Sequence, residues 1–127
     1  ITMSDAPTIS EAEWRVMKVL WSKHPSSANE IIAQLEQSTT WKAKTIKTLL
    51  NRLVNKGALG YERRGREYYY SPLISENETK RAESRSFLQR VFDGALKPAL
   101  AAFIEDEELS AEDIDELKRM LDEKSKS

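Results

Sequence analysis

Between Lys42 and Tyr70 the sequence changes its hydrophobic period, and that change leaves few folds open. Ile46, Leu49, Leu50, Leu53 and Val54 recur three and four residues apart, which places them on one stripe of a helix. Lys44, Thr45, Lys47, Thr48, Asn51 and Arg52 fall largely on its other sides. The helix is expected to start at Lys42 or Ala43 and to run to Lys56, with Gly57 as a left-handed residue beyond its end. Two extended pieces, Ala58 to Glu62 and Glu67 to Ser71, then flank the turn Arg63-Arg64-Gly65-Arg66. There Tyr68 and Tyr70 point to one face and Tyr69 to the other. A helix with a basic and hydroxyl face, followed at once by a basic-tipped hairpin, is what a winged-helix DNA reader needs.

The charge is concentrated in the same segment. From Lys42 to Arg66 there are eight basic residues (Lys42, Lys44, Lys47, Arg52, Lys56, Arg63, Arg64 and Arg66) against one acid, Glu62. The whole chain has a formal charge of −1, so the excess is local. Residues 1–75 hold 11 Lys/Arg and 7 Asp/Glu, whereas residues 76–127 hold 9 and 14. A basic front and an acidic back imply that only the front meets a polyanion. A basic helix face alone is usually just solvated. The basic hairpin directly after it, without matching acids, is what turns the reading towards DNA.

Capping signals mark the remaining helices. Ser10-Glu11-Ala12-Glu13 is a capping box with Ile9 and Trp14 in staple positions, and Trp14, Met17, Leu20 and Trp21 follow at helical spacing. Lys23-His24-Pro25 ends that helix. Ser27-Ala28-Asn29-Glu30 opens a short second one with Ile31, Ile32 and Leu35 on its apolar side. Ser75-Glu76-Asn77-Glu78, like Ser27-Ala28-Asn29-Glu30 a further capping box, opens a long helix that closes near Gly94. A short helix is expected around Pro98 to Ile104. A last one follows the Ser110 cap and carries Ile114, Leu117, Met120 and Leu121, with fraying from Lys124 to Ser127. The expected fold is mainly α with a small β-wing. It consists of a winged helix-turn-helix DNA-binding domain over residues 8–74 and a helical dimerisation domain over residues 75–124.

The second helix of the helix-turn-helix would lie in the major groove. Lys42, Lys44, Thr45, Lys47, Thr48 and Arg52 are its candidate DNA contacts, joined by Arg63, Arg64 and Arg66 at the wing tip. Most of these positions would hold phosphates rather than read bases. Phe87, Leu88, Val91, Phe92, Leu100, Phe103, Ile114, Leu117 and Leu121 are too few for a core of their own. They could fold back on the winged helix, but pairing with the same segment of a second chain buries both copies. Such a homodimer would present two recognition helices to palindromic double-stranded DNA. A winged helix that binds protein through its acidic tail is the alternative.

Other functions find little support. There is no cysteine and a single histidine, His24, beside a proline in a turn, so neither a disulfide nor a metal site is expected. No cofactor is implied, and no catalytic constellation is present, so the chain is read as no enzyme. Trp14, Trp21, Trp41 and Tyr68-Tyr69-Tyr70 read as packing. No apolar run reaches the roughly 20 residues that a membrane crossing takes. With no signal-peptide pattern either, a cytoplasmic protein starting at Met3 is expected.

Taken together, several segments resemble the BlaI/MecI/CopY family of bacterial repressors. They are Ile9-Ser10-Glu11-Ala12-Glu13-Trp14-Arg15-Val16-Met17, Trp41 with Lys44-Thr45-Ile46-Lys47-Thr48-Leu49-Leu50, Arg52-Leu53-Val54-Asn55-Lys56-Gly57, and Tyr68-Tyr69-Tyr70-Ser71-Pro72-Leu73. The resemblance extends to the acidic tail with Glu107-Glu108-Leu109-Ser110. It implies a homodimeric winged-helix repressor on an inverted-repeat operator. The copper-sensing branch uses a C-terminal Cys-x-Cys pair motif, which a chain without cysteine lacks. The BlaI/MecI branch controls β-lactam resistance genes. There a membrane sensor-protease signal leads to repressor cleavage, commonly at an Asn-Phe bond. The matching position is Ala102-Phe103, with the Asn replaced by Ala. A family member that controls copper or other stress genes remains the alternative.

Overall fold

The computed structural model describes residues 7–126, so the expected start at Met3 and fraying at Ser127 lie outside the described residues. The elements run α1 (Glu11–Ser22), β1 (Ser26–Ser27), α2 (Ala28–Glu36), α3 (Ala43–Asn55), β2 (Leu59–Arg64), β3 (Glu67–Pro72), α4 (Glu76–Phe92), α5 (Leu96–Asp106) and α6 (Ala111–Ser125). The chain divides into two compact units after Ser84, inside α4.

The first unit is a winged helix built around a single apolar cluster. Val16, Met17 and Leu20 come from α1, Ile31, Ile32 and Leu35 from α2, and Ile46, Leu49, Leu50 and Leu53 from α3. Ile9, Ala58, Leu59 and Tyr70 close it. Each helix contributes residues three and four apart, the spacing that keeps them on one face. Trp14, Trp21 and Trp41 are partly buried against the cluster. Trp14 and Trp21 pack edge to face with ring centroids 5.5 Å apart, and Trp21 Nε1 donates to the Ile74 carbonyl at 3.0 Å.

Of the three expected capping boxes, those at α1 and α2 form in full and the third shows its serine half. Ser10 and Ser27 accept from the amides of Glu13 and Glu30, whose carboxylates accept in return from the serine amides. At α4, Ser75 Oγ accepts from the Glu78 amide at 3.0 Å. Gly57 has φ +82°, the left-handed conformation expected just past α3.

The sheet has a strand that the sequence does not announce. Its order is β1-β3-β2. Ser26 and Ser27 pair antiparallel with Tyr70 and Tyr69, which ties the start of α2 to the wing. Two serines carry no readable period, so nothing in the pattern marks them as a strand. The first hairpin strand starts one residue later than expected, at Leu59, and runs two further, to Arg64, while the second extends to Pro72.

In the second unit, α5 begins at Leu96, ahead of Pro98. Pro98 lies in the first turn, where its missing N–H removes no helical hydrogen bond. α6 continues through Lys124 and Ser125, into the segment where fraying is expected. Asp93 and Gly94, at φ +52° and +83°, turn the chain between α4 and α5.

Candidate nucleic-acid interface

The packing of α3 decides which of its side chains can meet a ligand. With Ile46, Leu49, Leu50 and Leu53 turned inward, Lys44, Thr45, Lys47, Thr48, Asn51 and Arg52 are left exposed. Thr48 Oγ1 donates to the Lys44 carbonyl at 3.0 Å. Its hydroxyl proton is used within the helix, and the methyl group and an acceptor lone pair remain for a ligand. α3 also begins differently from α1 and α2. Its N-cap, Lys42, makes no side-chain cap bond, and its first turn holds no acid. The first amides and the positive end of the helix dipole are therefore unneutralised, which favours an anion there.

The wing presents its three arginines unequally. Pairing of Arg64 with Glu67 leaves Gly65-Arg66 as a two-residue connection, with Gly65 at φ +65°. Arg63 Nε donates to the Gly65 carbonyl at 3.0 Å. Arg64 pairs with Glu62 at 3.7 Å and lies over the Tyr69 ring at 5.0 Å. Arg66 has neither a hydrogen bond nor an ion pair among the described residues. On one face of the wing, Tyr61 meets Tyr68 edge to face and Tyr70 at a tilt, with centroid distances of 5.1 and 6.2 Å, so these rings pack against one another.

Between α3, the start of α2 and the wing runs an open groove of about 340 Å³, lined by Asn29, Lys47, Asn51, Arg66, Glu67 and Tyr68 among others. It brings together Lys47 and Arg66 of the expected contacts. Lys42, Lys44, Thr45, Thr48, Arg52, Arg63 and Arg64 lie outside its lining. Asn29, Glu67 and Tyr68 are lining residues that sequence reasoning did not select. Their signal was the β1–β3 pairing that holds α2 beside the wing, and two serines do not reveal it. A larger cleft of about 520 Å³, lined by Arg15, Lys18 and Lys23 among others, shares no lining residue with this groove.

One of the eight cations is turned inward. Lys56 Nζ donates to the Glu13 carboxylate and, at 2.7 Å, to the Thr8 carbonyl. Glu13 is only 1% exposed. Burial pushes its carboxyl up, but the bonds from Lys56 and from the Ser10 amide and hydroxyl outweigh this and hold it below its ordinary value. The exposed His24 has Nδ1 2.8 Å from the Leu20 carbonyl. Among the described residues no three His, Asp or Glu side chains gather as a metal site, and no helix is long and apolar enough to cross a membrane.

The second unit leaves most of its large apolar side chains uncovered. Phe87, Val91, Leu100, Phe103, Ile114, Leu117 and Leu121 are exposed, and Leu88 and Phe92 are half-buried. Phe87 lies 6.0 Å from Phe92 and 6.2 Å from Phe103 between ring centroids. No residue of α6 is buried. The Ala102-Phe103 bond lies within α5.

Comparison with known proteins places this arrangement among repressors. A family model described as penicillinase repressor matches residues 9–123. The chain is 42% identical over 121 residues to the penicillinase repressor of Bacillus licheniformis, covering 95% of this chain and 94% of that protein. It is 36% identical over 116 residues to the methicillin resistance regulatory protein MecI of Staphylococcus aureus, covering 91% and 94%. Among solved structures, the DNA-binding domain of the repressor BlaI superposes with a TM-score of 0.53 at 46% identity, covering 57% of this chain and 88% of that one. The monomeric form of Bacillus licheniformis BlaI in complex with the blaP half-operator gives 0.51 at 46% identity, with the same coverage.

Proposed function

The chain belongs to the penicillinase repressor family, and from that premise we propose that it is a transcriptional repressor acting as a homodimer on an inverted-repeat operator. The observation that carries the reading is the exposed, unneutralised face of α3 beside a wing whose Arg66 is free among the described residues. The solved complex of monomeric BlaI with a half-operator supports the DNA-binding part of it, since that protein matches this one across the winged helix.

The division of labour follows from the chemistry. α3 enters the major groove with Lys44, Thr45, Lys47 and Thr48, and Lys42, Arg52, Arg63, Arg64 and Arg66 hold phosphates on either side. Residues 8–74 form the DNA-binding domain and residues 75–124 the dimerisation domain. The exposed side chains Phe87, Val91, Leu100, Phe103, Ile114, Leu117 and Leu121, with Leu88 and Phe92, meet their counterparts in the second copy. Half-sites then lie about one helical turn, roughly 34–36 Å, or a multiple apart.

Induction acts on the dimer. A cut at Ala102-Phe103, triggered by a membrane sensor-protease, would detach α6 from the interface. Two linked half-site contacts gain a factor of about 10²–10⁴ over one. Loss of the dimer forfeits that factor, and the operator is released. A chain cut at this bond that still bound as tightly as the intact one would rule the mechanism out.

The test of the reading is recovery of genomic fragments by the intact chain at moderate salt, followed by sequencing. An inverted repeat enriched upstream of a resistance or sensor operon is expected. No enrichment over a charge-matched control protein would favour a winged helix that binds protein instead.

A further inference from the structure

The wing carries two carboxylates, and they are held differently. Glu62 pairs with Arg64. Glu67 forms no ion pair among the described residues. Its Oε1 accepts from Asn29 Nδ2 at 3.4 Å and its Oε2 from the Tyr69 hydroxyl at 3.3 Å. Both donors are neutral, so they orient the carboxylate without cancelling its charge. The Glu67 charge pushes the Tyr69 phenol above its ordinary value, so the hydroxyl keeps its proton and goes on donating.

An acid at this place works against a purely electrostatic binder. Lys47 and Arg66 line the same groove, and a phosphate drawn to them meets the Glu67 charge as well. Non-specific binding consists almost wholly of phosphate contacts, so it bears this repulsion at every sequence. A carboxylate gains at DNA only where it accepts a hydrogen bond from a base amino group, as at cytosine N4. The quantity that matters to a repressor is the ratio of operator to non-operator affinity, because competing sites are so numerous.

We infer that Glu67 is a specificity-determining residue of the α3–wing groove, repelling backbone-only binding and accepting from a base amino group at the matched site. The inference rests on the repressor reading and deepens it. Asn29 and Tyr69 are positioning residues for the carboxylate, and Asn29 does this from α2 because β1 ties that helix to β3.

The experiment compares wild type with Glu67→Gln, which keeps the shape and removes the charge. The probes are the inverted-repeat fragment enriched from genomic DNA and a shuffled duplex of equal length. Removing the charge should raise affinity for the shuffled duplex about threefold, the scale of one exposed charge contact. It should lower the operator-to-shuffled ratio by about fivefold or more, the scale of one base contact. Tyr69→Phe, which removes one of the two bonds that orient the carboxylate, should lower the ratio without removing the charge. Equal gains on both duplexes would make Glu67 an electrostatic bystander and overturn the inference, as would no change on either. In both cases the repressor reading would stand. If wild type binds neither duplex, the repressor reading itself fails and takes the inference with it.

Discussion

Lys56 and Glu13 show how a residue's role depends on what surrounds it. The sequence sets Lys56 among eight cations and leaves Glu13 as the far end of a capping box. In the fold they meet, because the end of α3 packs beside the start of α1. Glu13 is held below its ordinary value of 4.5, so its contribution to stability is complete above that pH and is lost as the pH falls through the lower folded value. Lys56→Met should leave the buried carboxylate with its serine partners alone, cost about 1–3 kcal/mol, and move the acid-unfolding midpoint to higher pH. Circular dichroism across an acid titration would read both effects, and an unmoved midpoint would contradict the assignment. The remaining α3 cations were legible because one helical face accounts for them all. The unequal wing arginines were not, because their partners (the Gly65 carbonyl, Glu62 and the Tyr69 ring) are set by hairpin register.

Elements with a strong period or a complete cap were readable, and those defined by a partner were not. α1, α2 and α3 each announce themselves through a cap or an apolar stripe, and Gly57 ends α3 with the left-handed residue that the pattern requires. Gly57→Ala would meet no atom within 4 Å, so strain in the backbone is its whole cost. It should destabilise the chain by about 1–2 kcal/mol, read as a lower thermal midpoint. An unchanged midpoint would show that the turn relaxes freely. β1 escaped because pairing with Tyr69 and Tyr70, rather than any composition, makes Ser26 and Ser27 a strand. Short as it is, it ties the start of α2, and with it Asn29, to the wing beside the groove. α5 began earlier than expected because a proline in the first turn does not stop a helix.

For the molecule as a whole, the basic front and acidic back of the sequence fall largely in separate compact units. The first unit has a closed apolar cluster, whereas α6 has no buried residue and Leu121 is 64% exposed. Leu117→Ala should therefore weaken self-association, by about 2–5 kcal/mol if the side chain is fully buried between copies, and leave the winged helix folded. Sedimentation equilibrium with a near-ultraviolet spectrum would separate the two effects, and an unaltered dimer would remove α6 from the interface. In the proposed repressor the α3–wing face binds DNA through phosphates. The most direct test is a fluorescence-anisotropy titration of a labelled inverted-repeat duplex over a salt series, with wild type and Lys47→Ala compared. Wild-type affinity should fall with a log–log slope of about −0.9 for each phosphate neutralised, and Lys47→Ala should bind more weakly with a slope shallower by about one. A wild-type affinity that is indifferent to salt, or a Lys47→Ala chain that binds as wild type does, would contradict it.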